Sequence, residues 1–162
     1  TAYQWLAQAP HDFRSLSLDS ITEAQRRLKA NINSSSLLTG YDQWGALLVK
    51  MDGLIRGFRD LVLLPNPLQV VMFIAETRLE NNKYRPYMQG QISTSLPYWV
   101  DLVGYLYPEN EADADGTSTK RVQKLLIGPH PSYETGERVQ GALPDIIIDP
   151  NIEDMFNKIF KL

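Results

Sequence analysis

The sequence predicts an α/β fold, a partly parallel sheet flanked by helices and extended by an antiparallel hairpin. Three observations carry this. A short apolar run from Phe13 to Leu18 ends abruptly in Asp19-Ser20 and passes at once into a helical pattern. A second, nearly continuous apolar run, Leu68 to Ala75, ends in Glu76-Thr77-Arg78. Between them lies the clearest helical periodicity in the chain, from Trp44 to Leu64. Strand, long helix and buried strand make a βαβ unit, whose strands run parallel with a right-handed crossover.

The elements follow in order. Thr1 to Pro10 reads as a short helix carrying Tyr3, Trp5 and Leu6, stopped by Pro10. The opening strand then delivers Asp19 to a sheet edge. Ile21, Ala24, Leu28 and Ile32 share one face of the next helix. Asn33 to Gly40 is a polar loop, and Thr39-x-x-Asp42 has the form of a capping box. In the long helix, Trp44, Leu47, Leu48, Met51, Leu54, Ile55, Phe58, Leu61 and Val62 recur at helical steps, with Lys50, Asp52, Arg56 and Arg59 largely opposite. Its glycines, Gly53 and Gly57 among them, suit close packing on a sheet.

Pro65-Asn66-Pro67 ends that helix, and the second buried strand follows. Leu79 to Gln91 is a polar, partly basic loop, and Ser93 to Trp99 a short helical turn interrupted by Pro97. Val100–Tyr107 and Arg121–Ile127 form a hairpin around an acidic tip, Pro108 to Thr119. After a loop from His130 to Gly141 come a short strand, Asp145–Ile148, and an amphipathic helix, Asn151–Leu162. No repeat or linker divides the 162 residues, so a single domain is expected.

Composition narrows the function classes. A net charge of -3 gives no global attraction to nucleic acid, although local basic patches remain open. The absence of cysteine excludes disulfides and thiolate metal sites. No apolar run approaches the roughly 20 residues of a membrane span, so no membrane association is expected and a cytoplasmic location is.

Two readings of Asp19 stand. Asp-Ser before an apolar run is a good helix cap. A carboxylate at the end of a buried strand is equally how α/β folds present a metal or ligand group. The second strand ending at Glu76 favours the latter, because parallel neighbours bring both carboxylates to one edge. Lys83, Tyr84, Arg85 and Tyr87 interleave cations with aromatics, the pattern that single-strand binders use for backbone charge and base stacking; the alternative is a solvated loop with tyrosines packed at its base. Arg26, Arg27 and Lys29 read as a solvated helix face. Glu111-x-Asp113-x-Asp115-Gly116 imitates a calcium loop, but Val122 stands where a bidentate acid is needed, so it reads as a solubilising tip. His11 and His130 are isolated, and Ser34 to Ser36 lack the context of a nucleophile elbow.

The order Leu16-Ser17-Leu18-Asp19-Ser20, polar loop, amphipathic helix, Val71-Met72-Phe73-Ile74-Ala75-Glu76, polar loop, hairpin and Glu137-Arg138 resembles the second half of a RecA-like P-loop ATPase. More narrowly it resembles the single-domain, Sak-type recombinases encoded by bacteriophages. The end of the chain, with Pro150-Asn151-Ile152 entering a final helix, fits as well, so the resemblance runs from Phe13 to Phe160. It implies that Asp19 is the Walker B aspartate, holding Mg²⁺ through water, with Ser20 its hydroxyl neighbour at the nucleotide. Glu76 would stand where the family senses the γ-phosphate, often with Gln. Asn33–Gly40 and Arg78–Ile92 would be the two loops that face DNA, and Arg138 the basic residue that reaches a neighbouring subunit's nucleotide. The implied cofactors are ATP and Mg²⁺. The implied partners are single-stranded DNA and further copies of the chain, and the implied place is the host cytoplasm for a phage-encoded protein.

One departure is large. The phosphate loop requires Gly-x-x-x-x-Gly-Lys-Ser/Thr, and no Gly-Lys pair occurs in this sequence. ATPase activity is therefore expected only with a phosphate loop supplied upstream of Thr1 or by another chain. The rival expectation is a non-enzymatic DNA-binding or assembly module that keeps the sheet and lacks nucleotide binding.

Overall fold

A computed structural model describes residues 1–33, 40–112, 119–139 and 141–161. It is a mixed α/β structure in two compact units: Thr1–Arg78 with Pro86–Trp99, and Leu79–Arg85 with Val100–Leu162.

In the first unit, helix α1 (Ala2–Gln8) is opened by a capping box between Thr1 and Gln4. Strand β1 (Ser15–Asp19) pairs in parallel with β2 (Val70–Ile74), and Asp19 lies opposite Ile74. β1 is not buried on both faces as its apolar run predicts. It alternates, with Leu16 and Leu18 turned inward and Ser15, Ser17 and Asp19 outward, as befits a strand in a two-stranded sheet. Helices α2 (Ile21–Ile32) and α3 (Tyr41–Arg59) complete the crossover. Leu47, Met51 and Ile55 of α3, four residues apart, are fully buried with Ile21, and Leu18, Leu28 and Phe73 pack around them.

Several boundaries differ from expectation. The N-cap of α3 is Gly40, with no side-chain cap bond. The helix closes at Arg59 into a 3₁₀ turn, Asp60–Leu63. Asn66 then accepts from Leu68 N–H and donates to the Leu61 carbonyl, fixing the turn between the two prolines. Gly53 faces open space and Gly57 faces the Tyr3 ring, so neither serves packing on a sheet. The short helix α4 (Ile92–Ser95) and a 3₁₀ turn (Leu96–Tyr98) place Ile92 and Leu96 in the α3 core. Before them, Gly90 holds a positive φ of 74°, which favours glycine, and a Cβ there would lie 2.7 Å from the terminal methyl Cδ2 of Leu48, which would have to shift.

The loop expected over Leu79–Gln91 contains strands β3 (Thr77–Glu80) and β4 (Lys83–Pro86), paired across Asn81-Asn82. Both asparagines have positive φ, the primed-turn geometry that hairpins favour.

In the second unit, β5 (Leu102–Val103) pairs with β8 (Gly136–Glu137), while β6 (Tyr105–Ala112), β7 (Thr119–Leu126) and β9 (Ile146–Ile148) form an antiparallel sheet in the order β6-β7-β9. β6 continues past Pro108 to Ala112 instead of stopping at Tyr107. It is an edge strand, where a missing N–H is tolerated, and Lys124 of β7 holds Glu109 and Glu111 at 2.8 and 2.6 Å. The centre of the expected acidic tip, with Asp113, Asp115 and Gly116, lies outside the described residues. Helix α5 (Ile152–Phe160), capped by Asn151, packs Met155 with Ile127 and Leu143.

Candidate functional site

The site is built at the C-terminal ends of β1 and β2. Asp19 is the last residue of β1 and is exposed. It does not cap α2. Ser20 is the N-cap, its hydroxyl accepting from Glu23 N–H at 3.2 Å. Among the described residues the Asp19 carboxylate has no hydrogen bond or ion pair. The Asp19–Ser20 peptide is cis.

Glu76 lies two residues beyond Ile74, the partner of Asp19, and so leaves the same sheet edge. Its carboxylate is engaged. Arg26 Nη1 and Nη2 donate to Oε1 and Oε2, both at 2.7 Å, a bidentate, charge-assisted pair. The hydrogen bond from Arg26 holds the Glu76 carboxyl below its ordinary range, outweighing desolvation. The same bond raises Arg26.

Thr22 ties this edge together. Glu76 N–H donates to Thr22 Oγ1 at 3.1 Å, and that hydroxyl donates to the Tyr87 carbonyl at 3.0 Å. Tyr87 N–H closes the ring on the Glu76 carbonyl at 2.5 Å. One turn on, the Gln25 side chain pairs with the backbone of Gln89 in both directions, at 2.6 and 3.2 Å. Thr22 and Gln25 are buried polar residues, and their bonds satisfy backbone groups that would otherwise be stranded.

Thr22, Gln25, Arg26 and Lys29 fall at helical steps along one stripe of α2. With Tyr87 and Gln89 they line an open cavity of about 190 Å³. Arg26 and Arg78 both lie over the Tyr87 ring, at 5.7 and 5.4 Å, and Lys29 lies over Trp44 at 5.5 Å. Arg26 and Arg27 are exposed and Lys29 half-buried, so the face read as solvated also carries these ring and cavity contacts. The polar stripe was visible in the sequence, but its partners stand some sixty positions downstream.

The basic-aromatic segment divides between the units. Tyr87 belongs to the first, and Lys83, Tyr84 and Arg85 to the second. Alternation along β4 puts Lys83 and Arg85 on one face. Both approach Glu134 Oε2, at 3.4 and 3.2 Å. Tyr84 joins an aromatic cluster, 5.2 Å from Tyr133, which is 4.3 Å from Tyr105. Arg138 pairs with Asp101, 3.6 Å between charged atoms, in the second unit. Of the loop expected at 33–40, residues 34–39 lie outside the described residues, Ser34 to Ser36 among them.

The donor set can be tested against Mg²⁺. That ion takes one or two carboxylates and keeps several waters. Asp19, exposed and without a protein partner among the described residues, fits this mode. Among the described residues no group of three or more His, Asp or Glu could form an all-protein cage. No described helix is long and apolar enough to cross a membrane.

A carboxylate closing one strand of a parallel βαβ unit, beside a second strand that ends two residues before Glu76, is the arrangement in which α/β domains can present ligand groups at a sheet edge. Residues 1–139 match the profile of the AAA domain family, and the chain belongs to that family of P-loop-type ATPase domains. Neither the curated proteins nor the solved structures contain a match.

Proposed function

We propose that the 162 residues are the Walker B and DNA-loop portion of a RecA-like ATPase core of the phage Sak type, acting in DNA recombination or single-strand annealing. Asp19 holds Mg²⁺ of ATP through water, and Ser20 lies beside it while capping α2. When bound, Mg²⁺ neutralises charge on the phosphates during phosphoryl transfer. Glu76 orients water or senses the γ-phosphate, and Arg138 reaches the nucleotide of a neighbouring copy in a homo-oligomer. The loops 33–40 and 78–92 face single-stranded DNA, with Lys83, Tyr84, Arg85 and Tyr87 as contacts. The place of action is the cytoplasm.

The observation that carries this reading is the Asp19 carboxylate, left among the described residues without a protein partner while Ser20 does the capping. The test is ATP turnover with a phosphate loop supplied in cis or on a second chain. Turnover is expected to require Mg²⁺, to rise with single-stranded DNA, and to fall on the order of 10²-fold or more in Asp19→Ala. Unchanged turnover in that variant would sink the assignment.

The second reading, a DNA-binding or assembly module without nucleotide chemistry, is favoured by Arg26 holding both Glu76 carboxylate oxygens, at the position where a nucleotide would be sensed. Salt-dependent single-strand binding without ATP binding, under the same conditions, would select it.

A further inference from the structure

We infer that Arg26, in the wall of the open α2 cavity, is a phosphate site that Glu76 occupies: its carboxylate sits on Arg26 where a backbone phosphate of a single nucleic-acid strand would sit. The inference rests on the strand-binding reading only for the source of the phosphate.

The groups are those a phosphate needs. A guanidinium fork binds carboxylate and phosphate oxygens with the same bidentate geometry, and Arg26 already shows that geometry toward Glu76. Lys29, in the same wall, adds a second cation. At about 190 Å³ the cavity is smaller than the roughly 300–1,000 Å³ of pockets that enclose whole ligands. It takes one group and leaves the rest of the ligand outside, as a strand threading past would require. Recognition is of phosphate and not of a base, because guanidiniums already lie over the Tyr87 ring. Gln89 Oε1 is buried without a partner.

Glu76 is the natural occupant to displace. It and Arg26 are each about half exposed, at 48% and 49% of the side chain, so exchange needs no core to open. Exposed pairs of this kind hold weakly against a competing anion of higher charge.

The experiment is anisotropy of a labelled twelve-nucleotide oligothymidylate at low salt, with inorganic phosphate titrated separately by tryptophan fluorescence, which Lys29 reports through Trp44. Glu76→Gln is expected to bind the strand on the order of 10-fold more tightly. Asp42→Asn, the same charge change elsewhere in the unit, should shift affinity about 2-fold or less. Arg26→Ala should weaken binding on the order of 10-fold, Arg26→Lys should restore only part of it, and adding Glu76→Gln to Arg26→Ala should gain nothing. Strand binding that Glu76→Gln leaves unchanged or weakens, in a folded variant, overturns the site even where the strand-binding reading survives. Arg26-dependent phosphate binding enhanced by Glu76→Gln, with no strand bound by any variant, keeps the cavity as a phosphate site and overturns the strand as its source, together with the strand-binding reading.

Discussion

Glu76 and Glu134 each gather basic side chains, in opposite surroundings. Glu134 sits with Lys83 and Arg85 at 3.4 and 3.2 Å, all three side chains at most 30% exposed. Glu76 grips Arg26 at 2.7 Å through both oxygens while half exposed, beside an open cavity. Proximity along the chain made Lys83 to Tyr87 the evident anion contact. Spatially, Lys83 and Arg85 are already partnered in a partly buried cluster, where exchange costs more, whereas Arg26 holds its partner where water and ligands reach. A cation's availability depends on what its partner would lose, which spacing alone does not report.

The largest effect should come from removing what aims Glu76. Thr22→Val strands the Glu76 N–H and the Tyr87 carbonyl, and should cost about 2–4 kcal/mol in urea unfolding. Thr22→Ser should recover most of it. A loss no larger than a surface substitution would show that the ring of bonds around Glu76 does not hold this edge. Next is Glu134→Gln, which leaves Lys83 and Arg85 without an anion in partly buried positions and should cost about 1–2 kcal/mol. Glu76→Gln should cost less. The reverse order would break the comparison.

A smaller effect concerns pH. Arg26 holds the Glu76 carboxyl below its ordinary value of 4.5, so the unfolded state binds the proton more readily than the folded one. The clamp's contribution is complete above that value and fades as pH falls through the lowered pKa. Thermal melting between neutral pH and the acid range should show a steeper acid loss in the native protein than in Glu76→Gln. Identical slopes would mean that Glu76 is not clamped in solution.

Long, regular periodicity made the scaffold legible. The buried faces of α2 and α3 and the strand that precedes Glu76 could be read because apolar residues recur over several turns or fill a strand. Local conflict obscured the rest. Asn81-Asn82 looked like loop, yet positive φ at both makes it a hairpin turn. Pro108 looked like a strand end, yet the edge position tolerates it. At the site, Asp19 and Glu76 were singled out from strand ends alone. Their difference was not, because it depends on Ser20 taking over the cap and on Arg26 reaching fifty residues along the chain.

That difference gives the most direct test. Asp19 either completes a structural cap or faces a metal. With the phosphate loop supplied and Mn²⁺ standing in for Mg²⁺, water-proton relaxation reads metal affinity in the presence of ATP for the native protein and Asp19→Asn, and melting reads stability. Metal affinity should be lower on the order of 10-fold or more, with stability within about 0.5 kcal/mol because the side chain has no partner to lose among the described residues. Unchanged metal affinity, or a loss near the 1 kcal/mol typical of a missing cap, would contradict the metal reading.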